Sequence, residues 1–191
     1  REIGWRANSY VAGSILVDAS QPVTAIEPWK DQIEAIVLTH GHYDHMANLH
    51  SLAKLCDAPV YIGEYDLAFL NDDTLCLAGH FGEHAPSIAA SPLADGYTIG
   101  EFIVMHTPGH TRGSICLYRE EDGALITGDT LFPHGSFGRS DLPTGSHADL
   151  VTSINRLAAL GIDSLWCGHD IPVPSSAMRD VLLSQAAVTR Y

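Results

Sequence analysis

The stretch THGHYDH, residues 39–45, places three histidines and one carboxylate within six residues, directly after an apolar run. Imidazole and carboxylate groups are the usual protein ligands for zinc and other mid-row divalent metals. His40 and His42 are two residues apart, so extended backbone directs both side chains to the same side. Asp44 and His45 fall where apolar residues begin to recur at helical spacing, which predicts a strand-to-helix turn. A helix N-cap at Asp44 among surface histidines is the simpler alternative, but it leaves the cluster unexplained. The segment therefore predicts a metal site for more than one ion.

Three further candidate ligands occur in one recurring local pattern. His110, Asp129 and His169 each follow a short apolar run and stand directly after a glycine. Glycine permits a tight turn and a close approach of the backbone to a bound group. The repetition predicts that several strand ends converge on one place, which is where α/β proteins carry their chemistry.

Five segments in this order resemble the metallo-β-lactamase fold hydrolases, and within them the glyoxalase II group of thioester hydrolases. The segments are THGHYDH at 39–45, TPGHTRGS at 107–114, TGDTLF at 127–132, GRSDLP at 138–143 and GH at 168–169. The resemblance extends from about residue 9 to about residue 172. It implies an α/β fold, a four-layer αββα sandwich, formed by a single metallo-β-lactamase-like domain over residues 1–191.

The resemblance also implies a centre of two divalent metal ions. The implied ligands are His40, His42 and His110 for the first ion, Asp44, His45 and His169 for the second, and Asp129 as the bridge between them. Asp44 and Asp129 are the two residues that we also predict to be catalytic. True β-lactamases of this superfamily lack a bridging aspartate at the position of Asp129, so antibiotic hydrolysis is not the expected activity. Zinc is the expected metal, with iron and manganese as alternatives.

The implied reaction is the hydrolysis of a small thioester by a hydroxide held between the two ions. One ion would polarise the carbonyl group and stabilise the oxyanion. Lactone hydrolysis stays open within the same class. The alternative from another class is a persulfide dioxygenase with one iron held by His40, His110 and Asp129. The metal count separates these two hypotheses, because both retain all seven residues. A non-catalytic metal-binding module is a third hypothesis, and the complete ligand set weighs against it.

The region after the last candidate ligand bears on the substrate. Glyoxalase II proper carries a C-terminal helical extension that supplies glutathione contacts. Here about twenty residues follow His169, which leaves room for one helix. The chain thus resembles the compact relatives, and a small acyl thioester is the expected substrate.

Composition restricts the partners and the setting. At 191 residues and 46% hydrophobic residues, the chain can bury one substantial core. A net charge of −13 with only 10 Lys and Arg argues against nucleic acid, which needs a basic surface. Four scattered cysteines read as reduced thiols, and no stretch approaches the length of a membrane span. The expected location is the cytoplasm, although the chain begins with Arg1 rather than methionine. The oligomeric state stays open.

Periodicity predicts an α/β alternation along the chain. Strands are predicted over residues 14–18, 33–39, 59–62, 97–106, 115–119, 124–127 and 164–167. Helices are predicted over residues 44–56, 63–70, 146–160 and 175–188. The segment 71–94 fits neither pattern. It is interpreted as a surface excursion, with a substrate lid carrying His80 or His84 as the alternative.

The remaining candidate residues are interpreted as supporting ones. His106 is predicted to be a core or ligand-supporting histidine because it ends an apolar strand. His50, His134 and His147 have no ligand spacing and are treated as non-ligands. Ser114 and Cys167 are interpreted as structural. Arg139 and Asp141 are predicted to form an ion pair that orders their loop, in preference to a direct catalytic role.

Overall fold

The computed structural model describes residues 6–190, and this part of the chain forms an α/β fold with two five-stranded sheets. Contacts divide the chain into two compact units, one ending at Leu93 and the other beginning at Ala94. Each unit has its own sheet and its own hydrophobic core. The α/β class predicted from the sequence is therefore confirmed.

The first unit has a mostly parallel sheet in the order β1-β2-β3-β4-β5. Its strands are β1 Tyr10–Ala12, β2 Ile15–Val17, β3 Ala35–Leu38, β4 Val60–Gly63 and β5 Ser91–Leu93. Its helices are α1 Val23–Ile26, α2 Tyr43–Met46 and α3 Leu49–Cys56, with 3-10 helices at Glu27–Gln32, Glu64–Asn71 and Ala78–Phe81. Only the β1–β2 pair is antiparallel among the described strands of this sheet. Strands β2 and β3 are buried along their whole length, as their unbroken apolar runs predict for parallel strands.

The second unit has a mostly antiparallel sheet in the order β10-β9-β8-β7-β6. Its strands are β6 Thr98–Ile99, β7 Phe102–His106, β8 Ile115–Arg119, β9 Ala124–Gly128 and β10 Ser164–Cys167. Its helices are α4 His147–Leu157 and α5 Met178–Val188, with a 3-10 helix at Pro133–Gly135. Ser146 caps α4 by accepting a hydrogen bond from the Asp149 backbone N–H, and the helix buries Leu150 and Ile154.

The helix predicted over residues 44–56 is two helices, α2 and α3. Asn48 separates them with φ −115° and ψ 14°. Its side-chain amide donates to the Ser20 carbonyl at 2.7 Å, and its backbone N–H donates to the Ala19 carbonyl at 2.9 Å. These bonds to the loop after β2 replace hydrogen bonds within a helix and interrupt it at Asn48. The apolar periodicity continues across this break, so it does not show that the helix is divided.

The strand predicted over residues 97–106 is likewise two strands, β6 and β7, joined as a tight hairpin. Ile99 pairs with Phe102, so Gly100 and Glu101 alone form the turn. Gly100 has φ +55°, the left-handed conformation that such turns require. The strands β1 and β5 and the helix α1 were not predicted, because each is only three or four residues long.

The irregular segment 71–94 lies mostly at the surface, as interpreted from the sequence, but it is anchored in the core of the first unit. Cys76 and Ala78 are fully buried in the core of the first unit, and β5 extends the sheet. The Cys76 carbonyl accepts a hydrogen bond of 2.8 Å from the backbone N–H of Tyr43, the first residue of α2. His80 and His84 are exposed. The segment thus supports the start of α2 from one side while its histidines face solvent.

Among residues 6–190, no helix combines the length and the apolar character needed to cross a membrane.

Candidate metal centre

Four of the predicted ligands lie at the end of β3 and in the first turn of α2. His40 follows β3 by two residues, His42 precedes α2, and Asp44 and His45 lie within it. The three histidines are each at most 3% exposed. Burial of so many polar rings is costly unless hydrogen bonds or a metal ion satisfy them.

The ligand atoms of these four residues lie at distances that suit metal coordination. His40 Nε2 is 3.0 Å from His42 Nδ1, and His45 Nε2 is 3.9 Å from an Asp44 carboxylate oxygen. Nitrogens bound to one tetrahedral zinc at about 2.0–2.1 Å lie roughly 3.3 Å from each other. The first unit therefore presents nitrogen and oxygen donors at separations close to those of a coordination shell.

A buried carboxylate that the sequence analysis missed orients this group. Asp18 is 2% exposed and stands directly after β2. One oxygen lies 2.8 Å from His45 Nδ1, and the other accepts the Thr39 backbone N–H at 2.8 Å. The Thr39 hydroxyl in turn lies 3.2 Å from His40 Nδ1. The signal was present in the sequence, because Asp18 follows a short apolar run just as the predicted ligands do.

A second missed carboxylate holds the backbone between the two histidines. Asp66 is fully buried and accepts a hydrogen bond of 3.0 Å from the Gly41 backbone N–H. A Cβ atom at Gly41 would collide with the side chain of Phe69. Glycine is therefore required at this position by the packing of the turn.

The other three predicted ligands come together in the second unit. His110 lies in the turn after β7, Asp129 directly follows β9, and His169 lies two residues after β10. One oxygen of Asp129, Oδ2, lies 3.6 Å from His110 Nε2 and 3.5 Å from His169 Nε2. A single carboxylate oxygen thus stands between two imidazoles.

The loop after Asp129 orients His110. The Arg139 carbonyl lies 2.7 Å from His110 Nδ1, so His110 turns Nε2 toward Asp129. Arg139 and Asp141 form the expected ion pair, with Nε–Oδ1 at 2.7 Å and Nη2–Oδ2 at 2.9 Å. The side-chain hydrogen bonds from Arg139, together with its positive charge, keep the pKa of the Asp141 carboxyl below its usual range.

His106 also supports the turn that carries His110. Its Nε2 lies 2.8 Å from the Arg112 carbonyl, and its backbone N–H donates to Asp95. The Asp95 carboxylate also receives two hydrogen bonds from Arg156 of α4. His106 therefore occupies the supporting position that its strand-end location predicts.

The remaining candidates lie in structural environments. The Ser114 hydroxyl is buried and hydrogen-bonded to the hydroxyl and the backbone N–H of Thr111. Burial raises the pKa of the Cys116 thiol to about 11 and that of Cys167 to about 12. His134 and His147 contact Asp180 and the Val188 carbonyl respectively. His50 is exposed on α3.

The donor set as a whole is five imidazoles and two carboxylates, which suits zinc, iron or manganese. The structure brings four of these residues together in the first unit and three in the second. None of the groups of described residues that could hold a metal ion includes a cysteine. The chemistry of the donors therefore fits hard or borderline divalent metals.

Comparisons with known proteins agree with this geometry. The family model described as Metallo-beta-lactamase superfamily matches residues 4–169. A probable metallo-hydrolase of Streptococcus pyogenes is 34% identical over 74% of this chain and 67% of its own length. A hydroxyacylglutathione hydrolase of Thermosynechococcus vestitus is 33% identical over 81% of this chain and 58% of its own length. The crystal structure of TTHA1623 in a di-iron-bound form superposes with a TM-score of 0.80 at 28% identity, covering 96% of this chain and 93% of that one.

The chain belongs to the metallo-β-lactamase superfamily. The predicted family and fold class are thereby confirmed, and the chain is a metallohydrolase of that superfamily with a His/Asp donor set for divalent metal.

Proposed function

We propose that this chain is a binuclear metallohydrolase that cleaves a small acyl thioester. The seven predicted ligands would hold one pair of ions. The proposed ligands are His40, His42 and His110 for one ion, Asp44, His45 and His169 for the other, and Asp129 as the bridge. The observation that carries the proposal is the position of Asp129 Oδ2, 3.6 Å from His110 Nε2 and 3.5 Å from His169 Nε2.

The chain prepares its ligands through their second nitrogen atoms. Asp18, Thr39 and the Arg139 carbonyl each lie within hydrogen-bond distance of the Nδ1 of one histidine. An acceptor at Nδ1 holds the proton there and turns the Nε2 lone pair toward a cation. Because the orienting groups are largely buried, the donor geometry is built before any ion binds.

The nucleophile in this proposal is water, because the described residues near the ligands offer no activated side chain. The Ser114 hydroxyl is hydrogen-bonded to the Thr111 hydroxyl. The raised pKa values of the Cys116 and Cys167 thiols keep both of them protonated at neutral pH. Two divalent cations, when bound, bring the pKa of water toward neutrality and stabilise the negative charge of an oxyanion. Asp129 would supply negative charge to the ions that the neighbouring histidines hold.

The size of a neighbouring cavity favours a small substrate. A cavity of about 630 Å³ is lined by residues of the loop after Asp129, with Phe137, Arg139 and His147 among them. Volumes in this range are typical of small-molecule sites. The similarity to a hydroxyacylglutathione hydrolase supports a thioester. This chain spans 58% of that relative, so the proposal is limited to the reaction type and does not extend to glutathione.

Metal content and hydrolysis, measured together, test the proposal. Protein purified without a chelating tag should contain about two ions per chain and release thiol from a panel of small acyl thioesters. The similarity to a di-iron-bound structure makes iron as well as zinc an expected metal. His110→Ala should lose both metal and activity, whereas His50→Ala on exposed α3 should retain both. Two ions with lactone but no thioester cleavage would correct the substrate. One iron per chain with oxygen uptake on a glutathione persulfide would overturn the hydrolase in favour of the dioxygenase.

A further inference from the structure

The segment Gly138–Asp141 lies against the ligands of the second unit on the side of His110 Nδ1. A Cβ atom at Gly138 would collide with the Asp129 carbonyl oxygen and would lie 3.2 Å from His110 Nδ1. The next residue, Arg139, places its carbonyl oxygen 2.7 Å from the same nitrogen. The absence of a side chain at Gly138 thus lets the backbone approach both ligands, and the Arg139 carbonyl becomes the acceptor for His110.

The direction of that carbonyl depends on the conformation of an exposed loop. The Arg139 guanidinium and the Asp141 carboxylate close the loop with two parallel hydrogen bonds of 2.7 and 2.9 Å. Farther along the loop, the Thr144 hydroxyl accepts a hydrogen bond of 3.1 Å from the backbone N–H of Arg112, in the turn that carries His110. The backbone N–H of Ser146 also donates to the Gly109 carbonyl at 2.8 Å. The loop is therefore tied to this turn at three points, and the ion pair lies beside the first of them.

An exposed ion pair contributes little to global stability, because solvent screens its charges. The two side chains of this pair are 63% and 68% exposed. A planar two-bond contact across two residues does, however, restrict the backbone between them. That backbone includes the Arg139 carbonyl, which faces His110. The ion pair can therefore affect the orientation of His110 even though it contributes little to the free energy of unfolding.

We propose that Arg139 and Asp141 are positioning residues, which hold the Arg139 carbonyl on His110 Nδ1 and thereby raise the affinity of the site for metal. This inference rests on the proposed function, in which His110 is a ligand. The carbonyl keeps the proton on Nδ1 and the lone pair on Nε2, which is the ligand form. Without the ion pair, the loop visits conformations in which this acceptor is lost, and metal binding must restore the order.

The test compares a substitution of Asp141 with the same substitution in a matched ion pair elsewhere in this unit. Arg119 and Asp122 form the same two-bond contact, at 2.9 and 2.7 Å, on an exposed turn that carries no ligand. Zn²⁺ alone serves as the probe, in competition with a chromogenic chelator. Asp141→Asn should weaken zinc binding by up to about tenfold, the low end of the effects of outer-shell contacts, because the ion pair acts on His110 only through the Arg139 carbonyl. Asp122→Asn should leave the affinity unchanged, and Asp141→Glu, which keeps the carboxylate, should recover most of the loss.

A spectroscopic measurement separates positioning from a general loss of order. In the zinc-free protein, the His110 Nδ1–H resonance should exchange faster with solvent in Asp141→Asn than in wild type and in Asp122→Asn. Equal zinc affinity and equal exchange in Asp141→Asn and wild type would overturn the inference. If His110→Ala itself left zinc binding unchanged, the proposed metal site would fail. A loss in His110→Ala without a loss in Asp141→Asn would overturn the positioning role alone.

Discussion

At the scale of single residues, the orientation of the candidate ligands depends on groups that are not themselves candidate ligands. The buried Asp18 carboxylate accepts a hydrogen bond from the Thr39 backbone N–H and lies within hydrogen-bond distance of His45 Nδ1. The Arg139 carbonyl lies within hydrogen-bond distance of His110 Nδ1. A neutral histidine can carry its proton on either ring nitrogen, and a hydrogen-bonding neighbour determines which one. The ligand residues identify the type of site, and the residues behind them decide which nitrogen is available.

Asp18→Asn is expected to lower metal affinity about 10- to 100-fold, the usual range for a lost ligand-supporting carboxylate. The amide can still accept from the Thr39 backbone, but its NH₂ group facing His45 Nδ1 moves the imidazole proton to Nε2. Zinc retained per chain after dialysis against a chelator measures the effect. Asp31→Asn, an exposed carboxylate in the same unit, is the control. Full retention of zinc in Asp18→Asn would show that Asp18 does not orient the ligand.

Gly41→Ala is expected to destabilise the protein by about 2 kcal/mol, because the added methyl group collides with Phe69 and overpacking of a core has costs of this order. Gly79→Ala is the matched control, since a Cβ atom at Gly79 has no atom within 4 Å. Urea denaturation of both variants in the presence of a chelator separates packing from metal binding. Equal midpoints for the two variants would contradict the steric account of Gly41.

At the scale of elements, one or two residues decide where a helix or strand ends, and the apolar periodicity does not show these ends. Asn48 divides a helix whose apolar pattern continues, and Gly100 divides a strand in the same way. The segment 71–94 appears polar in sequence, yet Cys76 supports the start of α2 through the backbone N–H of Tyr43. In each case a hydrogen bond or a backbone conformation overrides the pattern of side chains.

The exposed ion pair of Asp73 and His84 gives this segment a measurable titration. His84 Nδ1 lies 2.7 Å from the Asp73 carboxylate, whose hydrogen bond and charge raise the pKa of His84. The Ala85 backbone N–H and His84 lower the pKa of Asp73. The pair is therefore complete between these two pKa values. It is lost as pH rises through the raised value of His84 or falls through the lowered value of Asp73.

NMR titration of His84 should give a pKa above that of a free histidine in the wild type. Asp73→Asn should return it toward the ordinary value, because the carboxylate is the principal cause of the shift. A His84 midpoint that does not respond to Asp73→Asn would exclude this contact in solution.

At the scale of the whole molecule, each compact unit has a separate core and a separate part of the ligand set. The prediction of a single domain over residues 1–191 can therefore be tested by asking whether the two units unfold together. Ions bound by residues of both units would stabilise only the state in which both units are folded.

The metal-loaded protein should accordingly unfold in one calorimetric transition, and removal of both ions should lower its midpoint by about 20 °C. This estimate takes about 4 kcal/mol per tightly bound ion and the size of the chain. Asp129→Ala, which lacks the proposed bridge, should respond much less to the chelator. Two well-separated transitions in the metal-loaded protein would contradict the single-domain prediction.

The sequence by itself determined the α/β class, the family and the candidate ligands, because each ligand follows an apolar strand and a recognisable turn. It also predicted the ion pair of Arg139 and Asp141 from their spacing. Only the tertiary structure decided which distant groups stand behind the ligands. Asp18 is 27 residues from His45, and Arg139 is 29 residues from His110. Contacts over such separations arise from the pairing of strands and the packing of loops, which local periodicity does not encode.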